Sequence, residues 1–209
     1  MAIVGLRYAV FSRMQSHTEG SLPTYDVGKV IGMNTQTDVA ITRNSANLPA
    51  DDVDAEEDNG ISSAQITMSL DDLTLENEAY VIGTVQEGSG DNAAFDDVDG
   101  ASPLGGLGYV RVREKTDQAT GQTNRSYIAT WWFKVRGRID NENTTTKNPQ
   151  QATNWQTSTL IFKALGAFVS GTEKMRFRRR KQFSTYEAAK AFIDGFANLT
   201  TQQGAQQGG

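Results

Sequence analysis

The sequence contains no cysteine, a single histidine and no long hydrophobic run, and each shortage excludes a class of function. Without cysteine the chain has no disulfides, thiolate metal sites or thiol nucleophiles. The histidine, His17, lies in a polar stretch where nothing predicts the carboxylate and nucleophile of a catalytic set. Because no run of about eighteen apolar residues occurs, no membrane-spanning helix is expected. We therefore expect a protein that is not an enzyme, binds no cofactor and has no membrane partner.

The rest of the composition describes a small acidic protein with a modest core. The chain has 209 residues, of which 37% are hydrophobic and 20 are glycine, and its formal net charge is -5. This length predicts one domain, and the low hydrophobic content favours a fold completed by assembly with copies of itself. An acidic chain has no general affinity for nucleic acid. The N-terminal residues lack the features of an export signal, so we expect the chain to fold in the cytosol where it is made.

The most distinctive stretch is a long hairpin with an acidic connection between its two strands. Apolar residues alternate with polar ones through Ile41 and again through Ile66 and Met68, and this period of two predicts strands. Between the strands, six of the eight residues from Asp51 to Asp58 are carboxylates. Such a connection cannot pack into its own domain, because each buried charge would need a partner. We predict that residues 44–60 form a projecting loop, without a tight tip, that reaches another subunit.

The acidic loop does not match a calcium site. Asp54, Glu56 and Asp58 have the alternating spacing of an EF-hand loop. Asn59, however, stands where that loop needs glycine, and Gln65 stands where it needs the closing glutamate. We expect no metal site, and the loop is either a solvated acidic segment or one matched to a basic surface on a neighbour.

The clearest predicted strand pair covers residues 108–114 and 125–139, joined by a turn that contains Gly121. Strand alternation puts five apolar side chains of the second strand on one face, which we expect to be core: Tyr127, Ala129, Trp131, Phe133 and Val135. Trp132 falls on the opposite face, where we expect a partner or a covering helix. The nearby run from Gly105 to Gly108 is not predicted to bind phosphate, because it neither follows a strand nor opens a helix.

Two helices and two polar insertions complete the prediction. A short helix is expected between an N-cap at Asp72 and a stop at Gly83. A second helix is expected over 184–199, behind a Ser-x-x-Glu capping box. Residues 85–107 and 140–153 show no readable element, and residues 200–209 are expected to be a flexible tail.

These elements together predict a mostly β fold. We expect a single domain over residues 1–199, built as an antiparallel β-sandwich or barrel of about seven strands. One short helix flanks it, a C-terminal helix follows, and the long hairpin loop projects from it.

A basic segment near the C-terminus complements the acidic loop. Five of the six residues from Arg176 to Lys181 are cationic, and strand alternation would place Arg176, Arg178 and Arg180 on one face. A nucleic-acid surface with stacking phenylalanines is one interpretation, which the overall acidity disfavours. A docking surface for the acidic loop of another copy is favoured, and head-to-tail contacts of this kind close into rings or extend into filaments.

The predicted inter-subunit interface consists of residues from these two segments. They are Asn47, Leu48, Pro49, Asp51, Asp52, Asp54, Glu56, Glu57, Asp58, Arg176, Arg178 and Arg180.

The order of four segments resembles the major tail proteins of long-tailed bacteriophages, especially the phi13-type tail tube subunit. The segments are Gly5–Ala9, Leu48–Asp52, Ile66–Glu76, and the aromatic strand Tyr127–Arg136 with its threonine-rich return. The resemblance implies a β-sandwich subunit with a flanking helix, six copies of which close a ring. Stacked rings would form a tail tube through which double-stranded DNA passes without specific binding. The 44–60 loop would bridge to an adjacent subunit or ring.

The resemblance also implies partners and a location. The partners would be further copies and other phage tail proteins, namely the tape measure, tail terminator and distal tail proteins. The protein would belong to the tail of the virion and would be assembled in the cytoplasm of the host bacterium.

Two other classes remain open from the sequence. A carbohydrate-binding or tail-tip adhesion module would also be an antiparallel sandwich, with exposed Trp131, Trp132 and Trp155 as sugar platforms. A β-sandwich hydrolase is the third class, and no nucleophile and base can be identified for it.

Overall fold

The computed structural model describes residues 2–44, 46–50, 53–58, 60–116, 121–140, 157–167 and 175–199. In these residues the strands are β1 Ala2–Ser16, β2 Thr24–Tyr25, β3 Lys29–Arg43, β4 Ala46–Ala50, β5 Val53–Asp58, β6 Ile61–Asp71, β7 Val85–Glu87, β8 Ala94–Asp96, β9 Leu104–Thr116, β10 Thr123–Arg138, β11 Ser158–Ala164 and β12 Arg178–Phe183. The helices are α1 Leu75–Ile82 and α2 Tyr186–Phe196. Neither helix has the length and apolar character needed to cross a membrane.

The fold is mostly β and antiparallel, as predicted, and six strands close into a barrel. Their order is β11–β6–β3–β1–β9–β10, and β10 pairs back onto β11. Closure depends on the length of β10, because residues 135–138 pair with β11 while residues 127–132 pair with β12. The described strands outnumber the expected seven partly because β7 and β8 form a small hairpin inside the 85–107 segment.

The barrel wall separates two hydrophobic cores. The inner core holds side chains from all six barrel strands, among them Phe11, Trp132 and Phe162. The outer core lies where α2 covers β1, β9 and β10, and there the Trp131 ring stacks on Phe196 with 5.5 Å between the ring centroids. The expectation that Trp132 meets a partner or a helix is therefore wrong, because its side chain is buried inside the barrel.

A bulge in β10 explains why the predicted five-residue face is divided. Tyr127, Ala129, Trp131 and Phe133 pack on the helix side, whereas Val135 belongs to the inner core. The pairing of β10 with β9 shifts between Trp132 and Val135, and an extra residue reverses the side on which later side chains lie.

The N-terminal capping residues of both helices differ from the predicted ones. Thr74, rather than Asp72, caps α1 by accepting a hydrogen bond from the backbone N–H of Asn77 at 3.2 Å. Gly83 ends this helix in the left-handed conformation, with φ of 88°, as predicted. In α2 the cap is Thr185, which accepts from the backbone N–H of Ala188, so the predicted capping box one residue earlier is not formed.

The glycines of β9 make room for aromatic side chains. A Cβ atom at Gly106 would lie 2.2 Å from Cζ2 of Trp131, and one at Gly105 would lie 2.4 Å from Cζ of Phe11. At Gly108 the added atom would be 2.6 Å from a methyl group of Ile193 in α2. These glycines lie within a strand. Because they have no side chains, side chains of both cores can pack directly against the backbone of β9.

The predicted projecting loop is itself a β-hairpin. The β3–β6 ladder runs to the Arg43–Ile61 pair and gains one more bond, from the N–H of Asn44 to the carbonyl of Gly60 at 2.8 Å. Beyond it, β4 and β5 form a separate two-stranded sheet that extends to the Ala50–Val53 pair. The expectation of an open loop is therefore wrong, because pairing between β4 and β5 satisfies backbone N–H and carbonyl groups here.

Helix α2 is fixed to β1 by a polar contact at the edge of the outer core. The hydroxyl of Tyr8 donates to Oδ1 of Asp194, and Nζ of Lys190 donates to Oδ2 of the same carboxylate at 2.8 Å. Asp194 is only 7% exposed, so both bonds satisfy a buried charge.

This contact predicts a loss of stability in alkaline solution. Burial, with the bond to Asp194 adding to it, raises the pKa of Tyr8 above its ordinary value of 10.0. Unfolded tyrosine loses its proton near pH 10 while folded Tyr8 keeps its own, so the free energy of unfolding falls as the pH rises beyond about 10. We expect Tyr8→Phe to be less stable at neutral pH but to show a shallower decline above about pH 10. Urea unfolding at a series of pH values measures both slopes, and equal slopes would contradict this account of Tyr8.

Candidate inter-subunit surface

The basic strand β12 lies along β10 and places its arginines on two sides of the sheet. Arg178 pairs with Trp132 and Arg180 with Thr130, and cross-strand partners share a face, so both arginines lie on the barrel side. Arg179 lies on the other side, with its guanidinium 5.6 Å from the ring centre of Phe196 in α2.

Arg176 does not continue this strand. Its backbone forms an isolated bridge with Ala167, with both N–H to carbonyl distances at 2.9 Å. The next residue, Phe177, accepts a backbone bond from Phe133 at 3.0 Å and is buried in the inner core. The alternation that would place three arginines on one face therefore fails at Phe177, and β12 itself holds two of them, Arg178 and Arg180.

Next to these arginines, β9 and β10 present four polar groups, of which the sequence analysis named Trp132 alone. In the ladder Tyr109 pairs with Thr130, Leu107 pairs with Trp132, and Arg111 follows two residues after Tyr109 on the same face. The guanidinium of Arg178 lies 4.9 Å from the ring centre of Trp132. We call the group formed by Tyr109, Arg111, Thr130, Trp132, Arg178 and Arg180 the donor cluster.

The donor cluster carries positive charge that no nearby carboxylate neutralises among the described residues. Burial lowers the pKa of Arg178, and the positive charges of Arg180 and Arg111 act in the same direction. The ion pairs among the described residues join Arg125 with Glu114, Arg138 with Asp140, and Lys190 with Asp194. None of them involves an arginine of the donor cluster, so its positive charge has no carboxylate partner in the described part of the chain.

The polar atoms beneath these arginines are also without partners. Within the described residues, the hydroxyls of Tyr109 and Thr130, Nε of Arg111 and Nε1 of Trp132 are buried and make no hydrogen bond. Tyr109 and Thr130 are fully buried, and Trp132 is 1% exposed. A buried donor without an acceptor costs roughly 1–3 kcal/mol, so four of them on adjacent strands are unusual in a protein interior.

The acidic half of the predicted interface lies on the β4–β5 hairpin. The backbone register pairs Asn47 with Glu57, Leu48 with Glu56 and Pro49 with Asp54. A proline is tolerated here because the hairpin is a two-stranded sheet with open edges. Among the described strands, β4 and β5 pair with each other alone. Asp51 and Asp52 lie outside the described residues, and Asp58 pairs with Ala46 at the base of the hairpin.

The tryptophans do not form a sugar-binding platform in the described residues. Trp131 is fully buried under α2, and Trp132 is buried inside the barrel. Trp155 lies outside the described residues. The described side chains also hold no group of three or more histidine, aspartate or glutamate residues arranged to bind a metal ion.

Comparison of the chain with models of protein families, with curated proteins and with solved structures finds no match.

Proposed function

We propose that this chain is a major tail tube subunit of a long-tailed bacteriophage, a structural protein that forms stacked hexameric rings around a channel for double-stranded DNA. The observation that carries the proposal is the acidic β4–β5 hairpin, a separate sheet at the end of the β3–β6 ladder. A two-stranded sheet of this kind has open backbone edges, and its sequence is rich in carboxylates, so contact with another subunit would satisfy both.

The donor cluster supports assembly with copies of the same chain. It is basic in a chain of net charge -5, and none of the described ion pairs neutralises its arginines. An acidic projection and a basic face on one chain favour a heterologous contact, in which the projection of one copy meets the face of the next. Such contacts close into rings and repeat along an axis, as a tube requires.

The overall charge fits a channel for DNA. Phosphate groups bind to basic surfaces and are repelled by acidic ones, and this chain has an excess of carboxylates. A tube built from acidic subunits lets DNA move past its wall without binding tightly.

A carbohydrate-binding or tail-tip adhesion module remains the second candidate, with weaker support. Its expected sugar platforms were the tryptophans, and two of the three are buried in the two cores. Sugar recognition at these positions would require them to be exposed.

Negative-stain electron microscopy of the purified protein tests the proposed function. We expect tubes of uniform width, or rings with six-fold symmetry, that increase with protein concentration. Monomers that stay dispersed at millimolar concentration, together with binding on a glycan array, would contradict the tube and favour the adhesion module.

A further inference from the structure

We infer that the cleft where β1 and β3 separate is a binding site for a small zwitterion with an apolar side chain, namely a free apolar amino acid or a dipeptide. Binding at this β1–β3 cleft goes beyond the proposed function and does not depend on assembly. It gives a role to Arg7, Asn34 and Asp72, each of which holds a charge or an acceptor atom without a polar partner among the described residues.

The β1–β3 cleft exists because two strands of the barrel wall part. Strand β1 pairs with β3 through Ala9, Val10 and Phe11. Before Ala9 the described ladder joins β1 to β9, while β3 continues beside β6. Tyr8 and Asp72 border the opening in the left-handed conformation, with φ of 60° and 66°. Such values are uncommon outside glycine and cluster at ligand-binding and active sites, and here they flank a cavity of about 660 Å³.

The wall of the β1–β3 cleft is largely apolar. Val30 is 46% exposed and Met33 is 69% exposed, although both are large hydrophobic residues, and both line the cavity. Leu6 of β1 and Tyr186 of α2 line it as well. Cavities of about 300–1,000 Å³ with apolar walls and a few polar groups are typical of small-molecule sites. A ligand here therefore needs an apolar part, and methionine and tyrosine favour an aromatic one.

Two opposite charges also line the β1–β3 cleft. Arg7 lies with its guanidinium 5.5 Å from the ring centre of Tyr186, and Asp72 is exposed at the entrance to α1. Neither residue belongs to an ion pair among the described residues, with each other or with a third group. A ligand with a single charge would be attracted by one of them and repelled by the other. A zwitterion places its carboxylate near Arg7 and its ammonium group near Asp72, so both charges are satisfied.

Asn34 provides a further acceptor for the ammonium group. It lines the cavity and is only 7% exposed. Its Nδ2 donates to the hydroxyl of Thr37 at 2.7 Å, whereas its Oδ1 is buried and has no partner among the described residues. A buried acceptor without a donor is costly, and an ammonium group has three N–H donors, more than one carboxylate requires. The amide of Asn34 therefore favours a ligand with a free amino group over a plain carboxylic acid.

Isothermal titration calorimetry of the full-length protein with matched ligands tests the site. L-Phenylalanine carries both charges and an apolar ring, and we expect a dissociation constant of roughly 0.1–1 mM. Phenethylamine lacks the carboxylate and hydrocinnamate lacks the ammonium group, so each is expected to bind at least about tenfold more weakly. Glycine keeps both charges without an apolar side chain and is expected to show no measurable binding. The dipeptide phenylalanyl-phenylalanine separates the two sources, because the tighter of the two zwitterions is the one whose charges match the spacing of the cleft.

Two charge-removing variants locate the binding within the cleft. Asp72→Asn keeps a residue that tolerates the left-handed conformation and removes the charge. It is expected to weaken phenylalanine at least about tenfold and to leave hydrocinnamate unchanged, because that ligand has no ammonium group. Arg7→Gln is expected to weaken phenylalanine similarly and to leave phenethylamine unchanged. The matched controls are Asp71→Asn and Arg136→Gln, which remove exposed charges that do not line the cavity and are expected to bind as the native protein does.

Three outcomes overturn the inference. In the first, neither phenylalanine nor the dipeptide binds. In the second, phenethylamine or hydrocinnamate binds as tightly as phenylalanine, so the second charge contributes nothing. In the third, phenylalanine binds equally to the native protein and to both cleft variants, which places its site elsewhere. None of these results bears on tube formation, and absence of tubes in the microscope would contradict the proposed function without affecting the cleft.

Discussion

Removal of residues 46–58 is expected to leave a folded protein that no longer assembles. The deletion takes out β4 and β5 and leaves the bond between the N–H of Asn44 and the carbonyl of Gly60 in place. Ser45 and Asn59 then form a two-residue connection between paired strands, which is the commonest hairpin length. The six barrel strands and both helices are unchanged. We expect a monomer by light scattering, a native far-ultraviolet circular dichroism spectrum and no tubes by electron microscopy.

A hairpin of full length with reduced charge is the control for this deletion. Asp54→Asn, Glu56→Gln and Asp58→Asn keep the two strands and remove part of their charge. We expect tubes at a raised protein concentration, because the backbone contacts remain while the electrostatic contribution is reduced. Tubes formed by the shortened chain at the native concentration would rule out a role for the hairpin in assembly.

Trp131→Ala is expected to cause the largest loss of stability of any single substitution in the outer core. The Trp131 ring is fully buried and stacks on Phe196, and its edge meets Tyr25 with 5.2 Å between ring centroids. Its Nε1 donates to the hydroxyl of Tyr25 at 3.4 Å. Loss of a buried tryptophan typically costs about 3–5 kcal/mol. Urea unfolding followed by circular dichroism measures the change, and a loss below about 1 kcal/mol would show that the helix-covered core is not closely packed.

Gly106→Ala provides a double-mutant test of the same contact. In the native background the added methyl would lie 2.2 Å from the Trp131 ring, and such overpacking costs roughly 1–3 kcal/mol. In the Trp131→Ala background that ring is gone, so we expect the added cost of Gly106→Ala to fall by about half or more. Additive losses would show that the ring does not explain the glycine at this position.

The sequence predicted local elements well where side-chain alternation was regular. The period of two identified β9 and β10, and the apolar spacing together with Gly83 placed the end of α1 correctly. The acidic hairpin was also recognisable, because its charges interrupt two alternating strands. The separate β4–β5 pairing was hidden, since runs of aspartate and glutamate have no strand propensity of their own.

Features that depend on long-range pairing could not be predicted. Closure of the barrel requires β10 to meet both β11 and β12, and nothing in a single strand encodes two partners on one edge. The bulge after Trp132 carries no sequence signal, yet it decides which core receives Val135. Three members of the donor cluster, Tyr109, Arg111 and Thr130, were missed for the same reason, because they become neighbours only once β9 and β10 are in register.

The wall between the two cores is one strand thick, and this sets a constraint on how the chain can change. Adjacent residues of β10 serve different interiors, with Trp131 under the helix and Trp132 within the barrel. A conservative exchange at either position alters one interior alone. The gain or loss of a single residue in this strand would turn every following side chain to the opposite face of the sheet, and so into the wrong core. Evolution of this protein is therefore freer to vary the composition of β10 than its residue count.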